Sequence, residues 1–139
     1  MNEYTVSTDQ SRLDLPMIHA FLSQRSYWAK GRSLATVKRS VSNSLCFGLY
    51  NAAGRQIGFA RVVTDGAVFA YILDVFILEG FRGRGLGQHL MAQVMAHPDL
   101  QGLQRIMLAT QDAHGLYAKY GFRPTVIGDK LMEIVQPPR

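Results

Sequence analysis

The sequence is poor in the residues that staple small proteins or bind metals. It has one cysteine, Cys46, set in the apolar run 45–50, so no internal disulfide can form and the chain suits a reducing, cytoplasmic compartment. Four histidines, at positions 19, 89, 97 and 114, share no metal-ligand spacing, and no metal is inferred. No apolar stretch approaches the ~20 residues that cross a bilayer. The polar start Met-Asn-Glu-Tyr-Thr lacks the apolar core of a signal peptide, so no membrane association is expected. Acidic residues are scarcer than basic ones, 10 against 15, which leaves a net charge of +5 at pH 7. That surplus suits an anionic partner. The cations, among them Arg12, Lys38, Arg39, Arg55 and Arg61, are scattered rather than gathered in one run. A small ligand with several phosphates therefore accounts for them as well as a nucleic acid would, and nucleic acid is not expected. Internal repeats and low-complexity segments are also missing.

What is present is an ordinary globular composition. With 139 residues, 47% hydrophobic and 18% charged, the chain reads as one domain spanning 1–139, long enough to bury roughly two thirds of the surface its unfolded form would expose. Residues 3–8 alternate as a first strand. A helix is expected from near Asp14 to near Ser23, with Pro16 tolerated in its first turn. A second helix follows over 33–42, with Leu34, Val37 and Val41 on one face. Strands over 45–50 and 56–64, a turn at Asp65-Gly66 and the strand around Tyr71 make an antiparallel meander. A helix over 85–97 stops at Pro98. A short strand at 105–110, reached through that helix, should lie parallel to the Tyr71 strand. A helix over 113–120 ends at Gly121, a plausible C′ glycine. Segments 122–127 and 130–135 flank Gly128-Asp129 as a terminal hairpin, and 136–139 form a frayed tail. The order βααβββαβαββ implies an α+β sandwich, a mixed and mostly antiparallel sheet with helices on both faces.

The stretch from Tyr71 to Gln88 carries the chemistry. Residues 71–78 are apolar, β-branched or aromatic except for Asp74, the composition of a buried strand with one anomaly. Then come Arg82-Gly83-Arg84-Gly85-Leu86-Gly87-Gln88 and a helix whose apolar face runs through Leu86, Leu90 and Val94. A strand that passes through glycines into a helix N-terminus makes an anion site, because the first-turn N–H groups lack intrahelical partners and the peptide dipoles add there. Arg82 and Arg84 add charge and forked donors suited to phosphate.

This segment resembles the acetyl-CoA-binding motif of the GCN5-related N-acetyltransferase (GNAT) family, in which Arg or Gln is followed by two residues, Gly, one residue, and Gly or Ala. Arg82, Gly85 and Gly87 fit that pattern. A second segment, residues 105–122, is similar to the family's following strand and helix, where Leu-Tyr-x-Lys-x-Gly-Phe carries a catalytic tyrosine; Tyr117 holds that position. The resemblance covers about residues 4–135 and implies the same element order. It implies that acetyl-CoA is the co-substrate, that backbone groups of Val75, Phe76 and Ile77 pair with its pantetheine arm or polarise its thioester, and that residues 82–88 hold its pyrophosphate. Glu79 stands where the family often has proline, and Thr110 where it often has asparagine, leaving Thr110 one hydrogen bond to offer the cofactor.

The implied activity is direct acetyl transfer to a primary amine, more readily of a small molecule than of a protein, by a monomer or a homodimer. The alternative is a non-catalytic acyl-CoA-binding sensor. Tyr117 is the expected acid for the departing thiolate. Asp74 is a base, a substrate anchor, or a structural partner of Arg61; strict alternation places it on the face shared by Ile72 and Phe76. Tyr27, Trp28 and Arg32 are expected to form an acceptor wall, or the two aromatics fill a gap between helices. His114 either reaches the acceptor or sits on the helix surface.

Overall fold

The computed structural model describes residues 3–137. Its sheet has five strands in chain order: β1 (Thr5–Ser7), β2 (Leu45–Tyr50), β3 (Gln56–Thr64), β4 (Phe69–Ile77) and β5 (Arg105–Leu108). The first three pairings are antiparallel and the last, β4 with β5, is parallel, as the helix between them requires. The helices are α1 (Leu15–Arg25), α2 (Leu34–Ser42), α3 (Leu86–Ala96) and α4 (His114–Ala118).

Local chemistry starts the helices where the sequence indicates. The Asp14 carboxylate accepts from Met17 N at 3.0 Å, with Pro16 in the first turn, and Ser33 Oγ accepts from Thr36 N at 3.1 Å. The sheet then has two apolar layers. On one face Ile18, Phe21 and Leu22 of α1, with Val37 and Val41 of α2, pack on Cys46, Phe59 and Phe76. On the other Leu86, Leu90, Met91 and Val94 of α3 pack on Phe47, Val62, Ala70 and Ile72, joined by Tyr117. The expectation of helices on both faces therefore holds.

The terminal hairpin does not. Among the described residues no strand follows β5; Gly128–Lys130 form a 3₁₀ turn, and residues 131–137 run on without pairing. Alternating apolar residues at 122–127 and 130–135 propose two strands, but a hairpin forms only where its apolar face finds a surface, and Met132 and Ile134 are 97% and 89% exposed. Of the expected tail, Pro138 and Arg139 lie outside the described residues, as do Met1 and Asn2 of the first segment. No helix among the described residues is long and apolar enough to cross a membrane.

Candidate active site

One extra residue in β4 creates the site. Between the pairs Phe59↔Phe76 and Arg61↔Leu73 the two strands advance by unequal steps, so β4 bulges at Asp74, which takes the left-handed backbone at φ 55°. The bulge switches the faces. Ala70 and Ile72 point to the α3 layer before it, and Val75 and Ile77 afterwards, while Phe76 points to the α1 and α2 layer. Asp74 therefore shares a face with Phe76, as alternation indicates, but not with Ile72. Pairing of β4 with β5 ends at Ile72↔Leu108 while β4 runs on to Ile77, so the two strands part as a fork whose β4 side has free backbone.

The Asp74 carboxylate is 3% exposed and fully engaged. Trp28 Nε1–H donates to Oδ1, and Arg32 Nη1 and Arg61 Nε both donate to Oδ2, each at 2.9 Å. Arg61 is fixed in turn by donating to Ser44 Oγ at 3.0 Å. A carboxylate that holds two guanidiniums and an indole has little lone-pair capacity left to take a proton from a substrate. The geometry suits it to anchoring Arg32 and Trp28 at the mouth of the fork.

Two cavities meet there. One, of about 540 Å³, is bounded by Arg32, Tyr71, Asp74 and the loop Thr110-Gln111-Asp112 after β5. The other, of about 570 Å³, runs from Val75–Ile77 to the glycine loop, with Arg82, Gly83, Gly85 and Gly87 along it. Tyr27, Trp28, Val75, Asp112, Ala113 and Tyr117 line both. Tyr27 straps the junction, its hydroxyl accepting from Gln111 N at 3.0 Å while its ring packs edge-on against Trp28.

Tyr117 sits 8% exposed on α4, and its hydroxyl makes no hydrogen bond among the described residues. Burial raises its pKa above the usual 10, with smaller contributions from Tyr27 and Asp112, so the phenol keeps its proton through neutral pH. Cys46 is a poor nucleophile in comparison, since burial pushes its thiol up to about 11 against the opposing pull of Arg61.

The loop is preset. Gly83 and Gly85 have φ of 80° and 74°, and Gly85 caps α3 in the left-handed conformation. Arg82 Nε donates to Ile77 O at 3.0 Å, tying the loop to the free end of β4. Arg84 donates to Tyr4 Oη at 3.3 Å and lies over the Phe81 ring. Gly87 is different. Its backbone is ordinary helix, and a Cβ there would meet nothing nearer than Leu116 Cδ2 at 3.6 Å. The fold therefore does not demand glycine at 87, and the missing side chain leaves the helix N-terminus open. Gly87→Val is expected to change stability by less than about 1 kcal/mol while weakening acetyl-CoA binding at least ~10-fold, or ~1.4 kcal/mol; calorimetric titration showing wild-type affinity would remove the loop from the site.

The residues read from sequence are mostly brought together. Asp74, Val75, Phe76, Ile77, Arg82, Gly83, Gly85, Leu86, Gly87, Thr110, Tyr117, Tyr27, Trp28 and Arg32 all line one or both cavities. Arg84 and Gln88 flank them; Gln88 O accepts from Tyr120 Oη at 2.7 Å. Thr110 Oγ1 accepts from Ala113 N at 3.0 Å, so the proton of its hydroxyl is what it can still offer. His114 is the exception. It is exposed and lines a separate cavity on the far side of β5, because α4 turns that position away from the fork. Gln111 and Asp112 escaped the sequence reading; the signal available was their place just after a parallel strand, since ligands of α/β sheets bind beyond strand carboxyl ends.

Comparisons with known proteins identify the family. Residues 42–124 match the family model described as an acetyltransferase (GNAT) domain. A Gibberella zeae protein named as an acetyltransferase is 35% identical over 138 residues, covering 84% of this chain and 77% of that protein. A crystal structure from Xanthomonas campestris pv. campestris, assigned to the GNAT family, superimposes with a TM-score of 0.92 at 56% identity over 96% of this chain and 94% of that one. The fold alone is shared with N-acetylglutamate synthase from Neisseria gonorrhoeae, complexed with coenzyme A and N-acetyl-glutamate: TM-score 0.72, 20% identity, 92% of this chain and 30% of that one. These similarities define an acyltransferase enzyme. The chain belongs to the GNAT acetyltransferases.

Proposed function

We propose that residues 1–139 form one catalytic unit, an acetyl-CoA-dependent N-acetyltransferase that moves an acetyl group directly to the primary amine of a small molecule in a reducing, cytoplasmic setting. The observation that supports it best is the meeting of two cavities at Val75 and Tyr117, one floored by the glycine loop and the other walled by Arg32. Acetyl-CoA would enter through the first, its pyrophosphate on the amides of residues 82–88 and its pantetheine arm along the free backbone of Val75–Ile77. The thioester would then lie at the fork, facing the amine. As the amine nitrogen bonds to the acetyl carbon the C–S bond breaks, the thiolate takes the Tyr117 phenolic proton, and the proton shed by nitrogen restores the phenol through solvent. Cys46, buried among apolar side chains, offers no route through a covalent intermediate.

The charge around Asp74 bears on the acceptor. Arg32 and Arg61 share one carboxylate, so one positive charge is unbalanced at the wall of the cavity that Arg32 lines. Arg32 Nε and Nη2 make no hydrogen bond among the described residues. An acceptor with a carboxylate or phosphate at one end and its amine at the other would place the anion on Arg32 and the amine toward Tyr117 and Asp112.

A thermal-shift titration with acetyl-CoA, free coenzyme A and ATP, followed by thiol-release assays over amines with and without an anionic group, tests the reading. Ligand at a hundredfold over its Kd should stabilise the fold by ~2.7 kcal/mol, with both coenzyme A forms but not with ATP. Stabilisation with no thiol release from any amine would favour the sensor alternative, and no stabilisation would end both readings.

A further inference from the structure

Two carboxylates line the joined cavities, Asp74 and Asp112, and among the described residues neither lining holds a histidine, glutamate, lysine or cysteine. Asp74 is held by Trp28, Arg32 and Arg61. Asp112 is different: it is exposed and makes no hydrogen bond or ion pair among the described residues. It borders both cavities, so it stands at the junction where thioester and acceptor would meet. Its lone pairs are all open to a ligand.

The fold fixes this acid from both sides. Just before it Gln111 N donates to Tyr27 Oη at 3.0 Å, and just after it Ala113 N donates to Thr110 Oγ1 at 3.0 Å. The second bond closes a short turn around Gln111 and Asp112. Tyr27 lies 84 residues from Gln111 in the chain, so the loop is tied to the α1–α2 connection as well as to itself. A loop bound on either side of one unpartnered residue presents that residue to a ligand with little freedom left to lose. Burial first, and then the charges of Tyr27 and Asp112, hold the proton on the Tyr117 phenol, which puts Asp112 within electrostatic reach of that hydroxyl. The proton donor and the free carboxylate therefore border one junction, from α4 and from the loop that enters it.

Resting on the acetyl-transfer reading, we propose that Asp112 is the catalytic base that takes the proton of the acceptor amine and returns it to Tyr117. The neutral amine bonds to the acetyl carbon, and that bond puts a positive charge on nitrogen, which makes its proton acidic enough for a carboxylate to accept. The C–S bond breaks, the thiolate takes the Tyr117 phenolic proton, and the nitrogen proton moves to Asp112. Asp112, being exposed, then passes that proton through water to the Tyr117 phenolate. One turnover leaves both groups in their starting states, with amide and free thiol as products.

Thiol release over a panel of primary amines, measured on the wild type, Asp112→Asn and Asp112→Ala, tests the role. An exposed residue without partners can be replaced with little effect on the fold, so the melting temperature should stay within ~3 °C, and the acetyl-CoA Kd from calorimetric titration within ~2-fold. Turnover should fall ~10²-fold or more in both variants. Formate added to Asp112→Ala should restore activity several-fold and chloride at equal ionic strength should not, because a small carboxylate in the vacated space replaces the lost base; a residue needed only for packing would give no such rescue. Wild-type turnover in Asp112→Asn would overturn the assignment alone, as would a loss in Asp112→Ala that formate leaves unchanged. No thiol release by the wild type from any amine would overturn the acetyl-transfer reading itself, and the assignment with it.

Discussion

Asp74→Asn is expected to lower the melting temperature by roughly 10–15 °C, even though asparagine is nearly isosteric. Among the described residues Asp74 is the sole carboxylate between Arg32 and Arg61, at 2.9 Å from both, with its side chain 1% exposed. Removing one partner of a buried ion pair leaves its charges uncompensated, which costs about 3–5 kcal/mol; Arg32, a fifth exposed, places this case toward the lower end. Asparagine isolates the charge term because it tolerates the left-handed backbone at φ 55° as readily as aspartate does. An alanine at 74 would mix backbone strain with the lost ion pairs. Differential scanning calorimetry at neutral pH measures the effect. A change under 3 °C would mean that the guanidiniums find other partners and that Asp74 is free for chemistry. If Asp74 serves as an anchor, the residual activity of the variant should keep the acidic limb of its pH–rate profile, since that limb then belongs to the acceptor amine; a flattened limb would make Asp74 the base.

Tyr117→Phe carries the largest expected effect on turnover, a loss of kcat of about 10²–10³-fold with acetyl-CoA affinity changed less than ~2-fold, because the ring still fills its place in the core and only the proton is removed. Its pH dependence is the more specific signature. Burial places the Tyr117 pKa above its ordinary 10, so the phenol is protonated at every pH up to about 10 and is lost as a donor only beyond it. The wild type should accordingly hold its kcat through pH 9 and lose it on the alkaline side of 10, and the phenylalanine variant should lack that alkaline loss. The same shift adds to folding stability below pH 10 and is lost as pH rises through the folded-state pKa. Equal falls in kcat and affinity, with the alkaline limb intact, would assign Tyr117 to packing.

Much of the site was legible because its information is local. Glycines at 83 and 85 announce a left-handed turn, the periodicity of Leu86, Leu90 and Val94 announces the helix that follows, and a helix N-terminus after glycines favours an anion. The caps at Asp14 and Ser33 and the turn at Asp65-Gly66 need only their neighbours, so those elements stand where composition and pattern place them. Asp74 was visible as a misplaced acid. Its conformation was not, because a bulge is a property of two paired strands and depends on how β3 and β4 fall into register.

Non-local decisions account for the remainder. The partners of Asp74 come from 46, 42 and 13 residues away, and no spacing rule joins Trp28, Arg32 and Arg61 to one carboxylate. The bulge also separates Ile72 from Phe76 across the sheet, which period-two counting could not foresee. His114 follows a plausible helical pattern, but the direction of a five-residue helix is set by what it packs on, and α4 packs through Tyr117. The hairpin at 122–135 failed for a related reason: its residues favour strands, but a strand forms only where its apolar side chains find a surface, and Leu131, Met132, Ile134 and Val135 stay exposed.

The sequence by itself determined the order of the elements through β5, the helix starts and the glycine loop, because capping, periodicity and left-handed turns act within a few residues. Only the tertiary structure decided that β4 bulges at Asp74, that this acid is occupied by Arg32 and Arg61, that the β4–β5 ladder stops at Ile72 to open the fork, and that the last apolar segment has no place in its own sheet. Those features are differences between whole packed arrangements, and their energies exist only once distant parts of the chain are in contact.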